Sequence, residues 1–102
     1  KDFFEAFAGN KRKFDKSVLV AINATDVWQI GFITQQEVRE FGLNEFVAVY
    51  VPQSYAFAGH LYFVKRERVK PLTDISSADA MKFAISGGVT NIDEDVPHNM
   101  VK

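Results

Sequence analysis

The chain has no cysteine, which excludes disulfide staples, thiolate metal sites and thiol nucleophiles together. It has two histidines, His60 and His98, and no spacing of His, Asp and Glu that would gather three or four metal ligands. It lacks a basic surplus. The net charge is −1, so there is no broad positive field for nucleic-acid phosphates, and a general nucleic-acid binder is excluded. No apolar run reaches the roughly 18 residues that a membrane-spanning helix needs, and no signal-peptide pattern is present. Ser54, Ser76, Ser77 and Ser86 all lie outside a nucleophile-elbow context, so a serine triad is not expected. With no such constellation, the reading is a non-enzymatic chain without a cofactor or metal.

What is present is ordinary globular material. The 102 residues fit one domain and suffice for a core without staples. Hydrophobic residues make up 47% and charged residues 25%, which separates the chain from disordered sequences. Ten phenylalanines exceed what one small core uses, so some are available for other surfaces.

Phe3, Phe4 and Phe7 share one helical face, and Gly9-Asn10 would end that helix. A basic run, Lys11, Arg12 and Lys13, follows. "SVLVAI" (17–22) is apolar and β-branched, and reads as a strand. After the turn "NATD", Trp28, Ile30 and Phe32 alternate with Gln29, Gly31 and Ile33 as in a half-buried strand. The link is too short for a parallel crossover, so these two strands should pair antiparallel. Thr34 and Glu37 stand at capping-box spacing before Gly42, which predicts a short helix. "EFVAVYV" (45–51) is apolar on both faces, a central strand that Pro52 ends. "HLYFVKRERV" (60–69) reads as a strand running out of the core into a second basic run.

The clearest helix is "SSADAMKFAISGG" (76–88). Ser76 is its N-cap, Asp79 opposes the positive helix end, and Ala80, Met81, Ala84 and Ile85 form an apolar stripe. "SGG" follows this helix, so it reads as a left-handed stop and not as an anion loop. The residues from Asn91 are acidic and aperiodic. His98 lies beside Glu94 and Asp95, and residues 90–102 are expected to be a flexible tail.

Between the third and fourth strands lies "VPQSYAFAGH" (51–60), a loop that is itself apolar. Tyr55 and Phe57 either fold back as a lid on the core or present an exposed aromatic tip. An exposed tip would mark a partner or membrane site. His60, at the start of the next strand, has no partner that would make it a general base.

"WQIGFIT" (28–34), "VAVYVP" (47–52), "GHLYFVKRERVKPL" (59–72) and "SSADAMKFAISGGV" (76–89) occur in an order and spacing that resemble a family of membrane proteins of unknown function. That family includes bacterial proteins and the plant continuous-vascular-ring-like proteins. The resemblance implies two transmembrane helices upstream, makes residues 1–10 the remnant of a membrane-linking helix, and implies no known activity or cofactor. The chain departs from the family where the loop reads "QSYAFA" instead of a Thr-, Pro- and Asn-rich stretch. It also carries Lys65 in place of a proline and "NATD" in place of a Tyr-Pro-basic turn. An apolar contact at Tyr55 and Phe57 fits the first departure.

The expected fold is α+β: a four-stranded, mainly antiparallel sheet with a C-terminal helix and one or two further short helices packed on it. Residues 1–89 form the single domain. The expected role is an interaction or assembly module of a membrane-anchored protein, self-associating or binding a protein through Tyr55, Phe57 and His60. Two alternatives stand beside it. In one, Lys11, Arg12 and Lys13 meet anionic headgroups while Phe3, Phe4 and Phe7 dip into the membrane interface. In the other, a pocket beneath the 51–59 loop near His60 takes a small molecule. The basic run after the implied membrane segment places the domain on the cytoplasmic side, of the inner membrane if the source is bacterial.

Overall fold

The computed structural model describes residues 14–23, 26–56 and 58–92. The expectations for the Phe3–Phe7 helix, the Lys11–Lys13 run, Phe57 and the tail with His98 fall outside the described residues, in whole or in all but the tail's first positions.

Five strands and one α-helix are present: β1 (Ser17–Val20), β2 (Gln29–Gln35), β3 (Phe46–Pro52), β4 (Gly59–Lys65), β5 (Val69–Pro71) and α1 (Ser77–Ile85). Single 3-10 turns lie at Arg39–Phe41 and Arg66–Arg68. All strand pairs are antiparallel, in the order β4-β3-β2-β1-β5. The α+β class and the antiparallel β1–β2 hairpin agree with the sequence reading, but the sheet has five strands and not four. The added strand hides in the basic run, where Val69 pairs with Val20 and Lys70 with Leu19. The short helix predicted from Thr34 is a correction too. Thr34 belongs to β2, and only a 3-10 turn forms before Gly42, whose φ of 79° stops it. Sheet pairing of Gln35 with Ala48 outweighs the local capping pattern.

The sheet must curl. In a flat sheet β4 and β5 would stand about 19 Å apart at a spacing near 4.8 Å per strand. The 3-10 turn that joins them advances only about 8 Å. Its ends are bonded to both sides of the seam: Arg66 N–H donates to Glu45 O at 3.0 Å, and Ala21 N–H to Arg68 O at 3.1 Å. The Arg66 guanidinium adds a 2.6 Å bond to Gln36 O. Two features of β2 assist the curl. A bulge lies between Ile33 and Gln35, which increases local twist. Gly31 lets the neighbouring strands close in, since a Cβ there would stand 2.6 Å from Val49 Cγ1.

One face of the sheet holds the core of Val18, Val20, Val47, Val49, Val51 and Val64, with Ile22, Ile33, Tyr62 and Val69 packed against it. The other face carries Phe32, fully buried, with the Phe14 ring edge-on at 5.8 Å. Phe14 also stacks on Tyr50 at 5.2 Å. Helix α1 covers this face over β2 and β3, presenting the fully buried Ala80. Ser76 caps it, its hydroxyl accepting from Asp79 N–H at 3.1 Å. β3 is therefore covered on both faces, as its unbroken apolar run predicts.

Burial pushes the Tyr50 phenol above its ordinary value. A raised folded-state pKa means the contribution is full below the unfolded tyrosine value, near pH 10, and is lost as pH rises through the folded one. Alkaline denaturation should therefore start earlier than in Tyr50→Phe, and spectrophotometric titration of that variant should lack a phenolate transition lying above the ordinary range.

Candidate functional site

The loop after β3 is bonded to the end of α1. The last four carbonyls of a helix have no partner within it, and here each is met. Gly88 N–H donates to Phe83 O at 2.8 Å and Gly87 N–H to Ala84 O at 3.2 Å, the paired bonds of a Schellman stop. Thr90 Oγ1 donates to Lys82 O at 3.3 Å. The loop supplies the rest: Ser54 Oγ donates to Ala84 O at 2.9 Å and Tyr55 N–H to Ile85 O at 2.7 Å. "QSY" and "ISGG" thus form one unit, although about thirty residues separate them.

This clamp decides the fate of Tyr55. Its backbone is held left-handed, at φ 57°, and its side chain is 74% exposed. For Tyr55 the side chain is exposed and not folded back as a lid; Phe57 lies outside the described residues. The ring lies beside Gly87, where a Cβ would stand 3.2 Å from Tyr55 Cε2. Gly87→Ala meets both that contact and a φ of 72°. It should cost about 1–2 kcal/mol, the usual penalty of a left-handed non-glycine residue. Thermal melting reads the loss, and a tyrosine fluorescence change at Tyr55 separates it from simple helix fraying.

Beneath the clamp runs a shallow groove of about 400 Å³ with Leu19, Ile30, Pro52 and Phe83 among its lining residues. Trp28 also lines it, 40% exposed, with Lys70 Nζ 5.1 Å from the ring centroid. Val27 and Val89, beside Trp28 and Gly88 in the chain, are exposed as well, so apolar groups crowd this end of the molecule. No lining side chain is ionisable, and the Ser54 hydroxyl is committed to the helix.

Of the predicted site residues, Tyr55 does not line this groove but borders it, next to the lining residues Ser54 and Gly87. His60 does not line it; it is exposed at the start of β4, its ring 5.9 Å from that of Tyr62. Phe57, Lys11, Arg12 and Lys13 lie outside the described residues. The sequence reading missed Trp28, Phe83 and Val89 as members of this surface. Among the described residues no three His, Asp or Glu side chains group as metal ligands, and no helix is long and apolar enough to cross a membrane.

No curated protein and no solved structure matches the chain. A family model does, over residues 1–59, a span that takes in β1, β2, β3 and the apolar loop. The chain belongs to that family, described as protein of unknown function (DUF502).

Proposed function

We propose that the chain is a non-enzymatic interaction module of a membrane-associated protein, and that it engages a protein partner through the groove between Trp28, Tyr55 and the end of α1. The observation that carries this reading is Tyr55. A side chain 74% exposed is held in a left-handed backbone by two bonds to a helix end, next to an apolar groove. Exposed contiguous apolar surface on a folded domain marks an interaction site, and pre-ordering the aromatic anchor lowers the entropic cost of binding. The groove has no titratable side chain to move a proton, which favours binding over acid-base chemistry. The family is generally membrane-associated. The strand led by Trp28 and the "ISGGV" ending resemble the family that includes bacterial proteins and the plant continuous-vascular-ring-like proteins. The Lys11–Lys13 run favours the cytoplasmic side.

A photo-crosslinking residue at position 55 of the full-length protein, activated in intact cells, tests the reading. A discrete protein adduct that disappears with Trp28→Asp is expected. Failure to form any adduct, or an adduct indifferent to Trp28→Asp, overturns it. In bacterial spheroplasts, external protease should leave the domain intact; digestion would reverse the sidedness.

A further inference from the structure

A second apolar surface lies away from the clamp, along β4. Among the described residues β4 is an edge of the sheet. The bonds at the two ends of its ladder, Gln53 N–H to Ala58 O and Arg66 N–H to Glu45 O, set the alternation. By the pairing of Val51 with His60, Val49 with Tyr62 and Val47 with Val64, the even-numbered residues of β4 bond to β3. Gly59, Leu61, Phe63 and Lys65 therefore direct their N–H and C=O groups outward. Among the described residues none of them has a backbone partner across that edge.

Among the described residues the usual protections of an edge are missing. β4 has no proline and no bulge, and its one charged residue, Lys65, stands at its end. Leu61 is 62% exposed and Phe63 38%. Phe41, 61% exposed, extends the patch with its ring 4.9 Å from that of Phe63. An open groove of about 380 Å³ runs beside Tyr62, Phe63 and Val64.

We propose that this edge pairs with β4 of a second copy of the chain, antiparallel and two-fold symmetric about Tyr62. Residue parity admits this register, and it is the one in which all seven residues of Gly59–Lys65 are paired in both copies. It sets outward-facing Leu61 opposite outward-facing Phe63 of the other copy, and the reverse, each pair exchanging both its hydrogen bonds. Charge agrees with it: Lys65 of one copy meets Gly59 of the other, whereas a register centred on Lys65 would set the two lysines opposite each other. The exposed Leu61 and Phe63 cover one another, and Phe41 flanks them. A seven-residue strand is about 24 Å long, and across a depth near 10 Å its edge offers on the order of 240 Å² per copy. Stable interfaces bury about 800 Å² per partner, so the dimer is weak and concentration-dependent, with a dissociation constant above about 1 µM. This surface is separate from the Tyr55 groove and does not depend on it.

Sedimentation of the 102-residue chain across a range of concentrations tests the proposal. Wild type should shift from monomer toward dimer, and amide exchange at Leu61 and Phe63 should slow with concentration while Tyr62, already bonded to β3, does not change. Leu61→Lys with Phe63→Lys should remain monomeric at every concentration, because lysines then face each other across the two-fold axis. Leu61→Glu with Phe63→Lys should restore the dimer through Glu–Lys pairs in the same register. Both sites are exposed, so melting of these variants should stay close to wild type. A wild type that is monomeric up to about 1 mM, or a double-lysine variant that still dimerises, overturns the proposal. Dimerisation lost in Tyr55→Ser but kept in the double-lysine variant would also overturn it, and would assign self-association to the groove.

Discussion

Phe32→Ala should be the most damaging single truncation among the described residues, lowering stability by about 3–5 kcal/mol, the range for emptying a fully buried phenylalanine site. Phe32 has no solvent exposure and sits in β2 between Ser17 of β1 and Tyr50 of β3. It lies on the face that α1 covers, and Phe14 meets its ring edge-on. The site cannot collapse easily, because strands on both sides are pinned by the ladder while the helix end is tied to the loop. For a domain of this size each kcal/mol moves the melting temperature by about 4–8 °C, so a fall of roughly 12–40 °C is expected in a thermal scan. Phe32→Leu keeps most of the volume and should lose less than half as much. A Phe32→Ala variant melting within about 3 °C of wild type would mean that α1 is not packed on β2 as described.

Gly59→Ala should come second. The reason is steric, not conformational. A Cβ at Gly59 would stand 2.5 Å from the Val51 carbonyl oxygen and 2.7 Å from both Cζ and Oη of Tyr50. The carbonyl belongs to the ladder and cannot turn away, so β4 must shift against β3. A loss of about 2–3 kcal/mol is expected, at the upper end for overpacking. Two obstacles of different kinds predict a particular result in a double-mutant cycle. In a Tyr50→Ala background the added cost of Gly59→Ala should shrink, since the ring is gone, yet persist, since the oxygen remains. Equal costs in both backgrounds would show that the ring is not the neighbour described.

The two predictions mark the limit of what a linear reading sees. Phe32 as a core residue follows from its place in the alternating run Trp28, Ile30, Phe32. The need for glycine at position 59 does not, because its obstacles come from residues eight and nine positions earlier and exist only in the antiparallel register. The same holds for the candidate site. The apolar loop was legible as a place to look, since Tyr55 and Phe57 break the polar composition of ordinary loops. Whether Tyr55 was lid or tip was not legible. The answer depends on Ala84 and Ile85, about thirty residues away, accepting bonds from Ser54 and Tyr55. Trp28 reads as the first member of a half-buried strand, and it is a groove wall only because Pro52, Ser54 and the end of α1 line the same groove.

Local patterns succeeded where a short stretch carries its own reason for folding. The apolar run of β3, the cap at Ser76 and the glycine stop after Ile85 are determined by neighbours in the chain. The short helix at Thr34 failed because a capping pattern is worth about 1 kcal/mol, and strand pairing with β3 outweighs it. The fifth strand escaped because "VKP" is too short to show a period, and its identity as a strand rests on β1 alone.

By itself, then, the sequence determined the α+β class, the antiparallel hairpin, the doubly covered central strand, the capped helix and the exclusion of thiol chemistry. Only the tertiary structure decided that the sheet curls, that the apolar loop is tied to the end of α1 with Tyr55 outward, and that Leu61 and Phe63 stand on an open edge. The division has one physical cause. Propensity, capping and periodicity act over a few residues and are written in order along the chain, whereas burial and free edges depend on which distant segments take up each face and each hydrogen-bonding group.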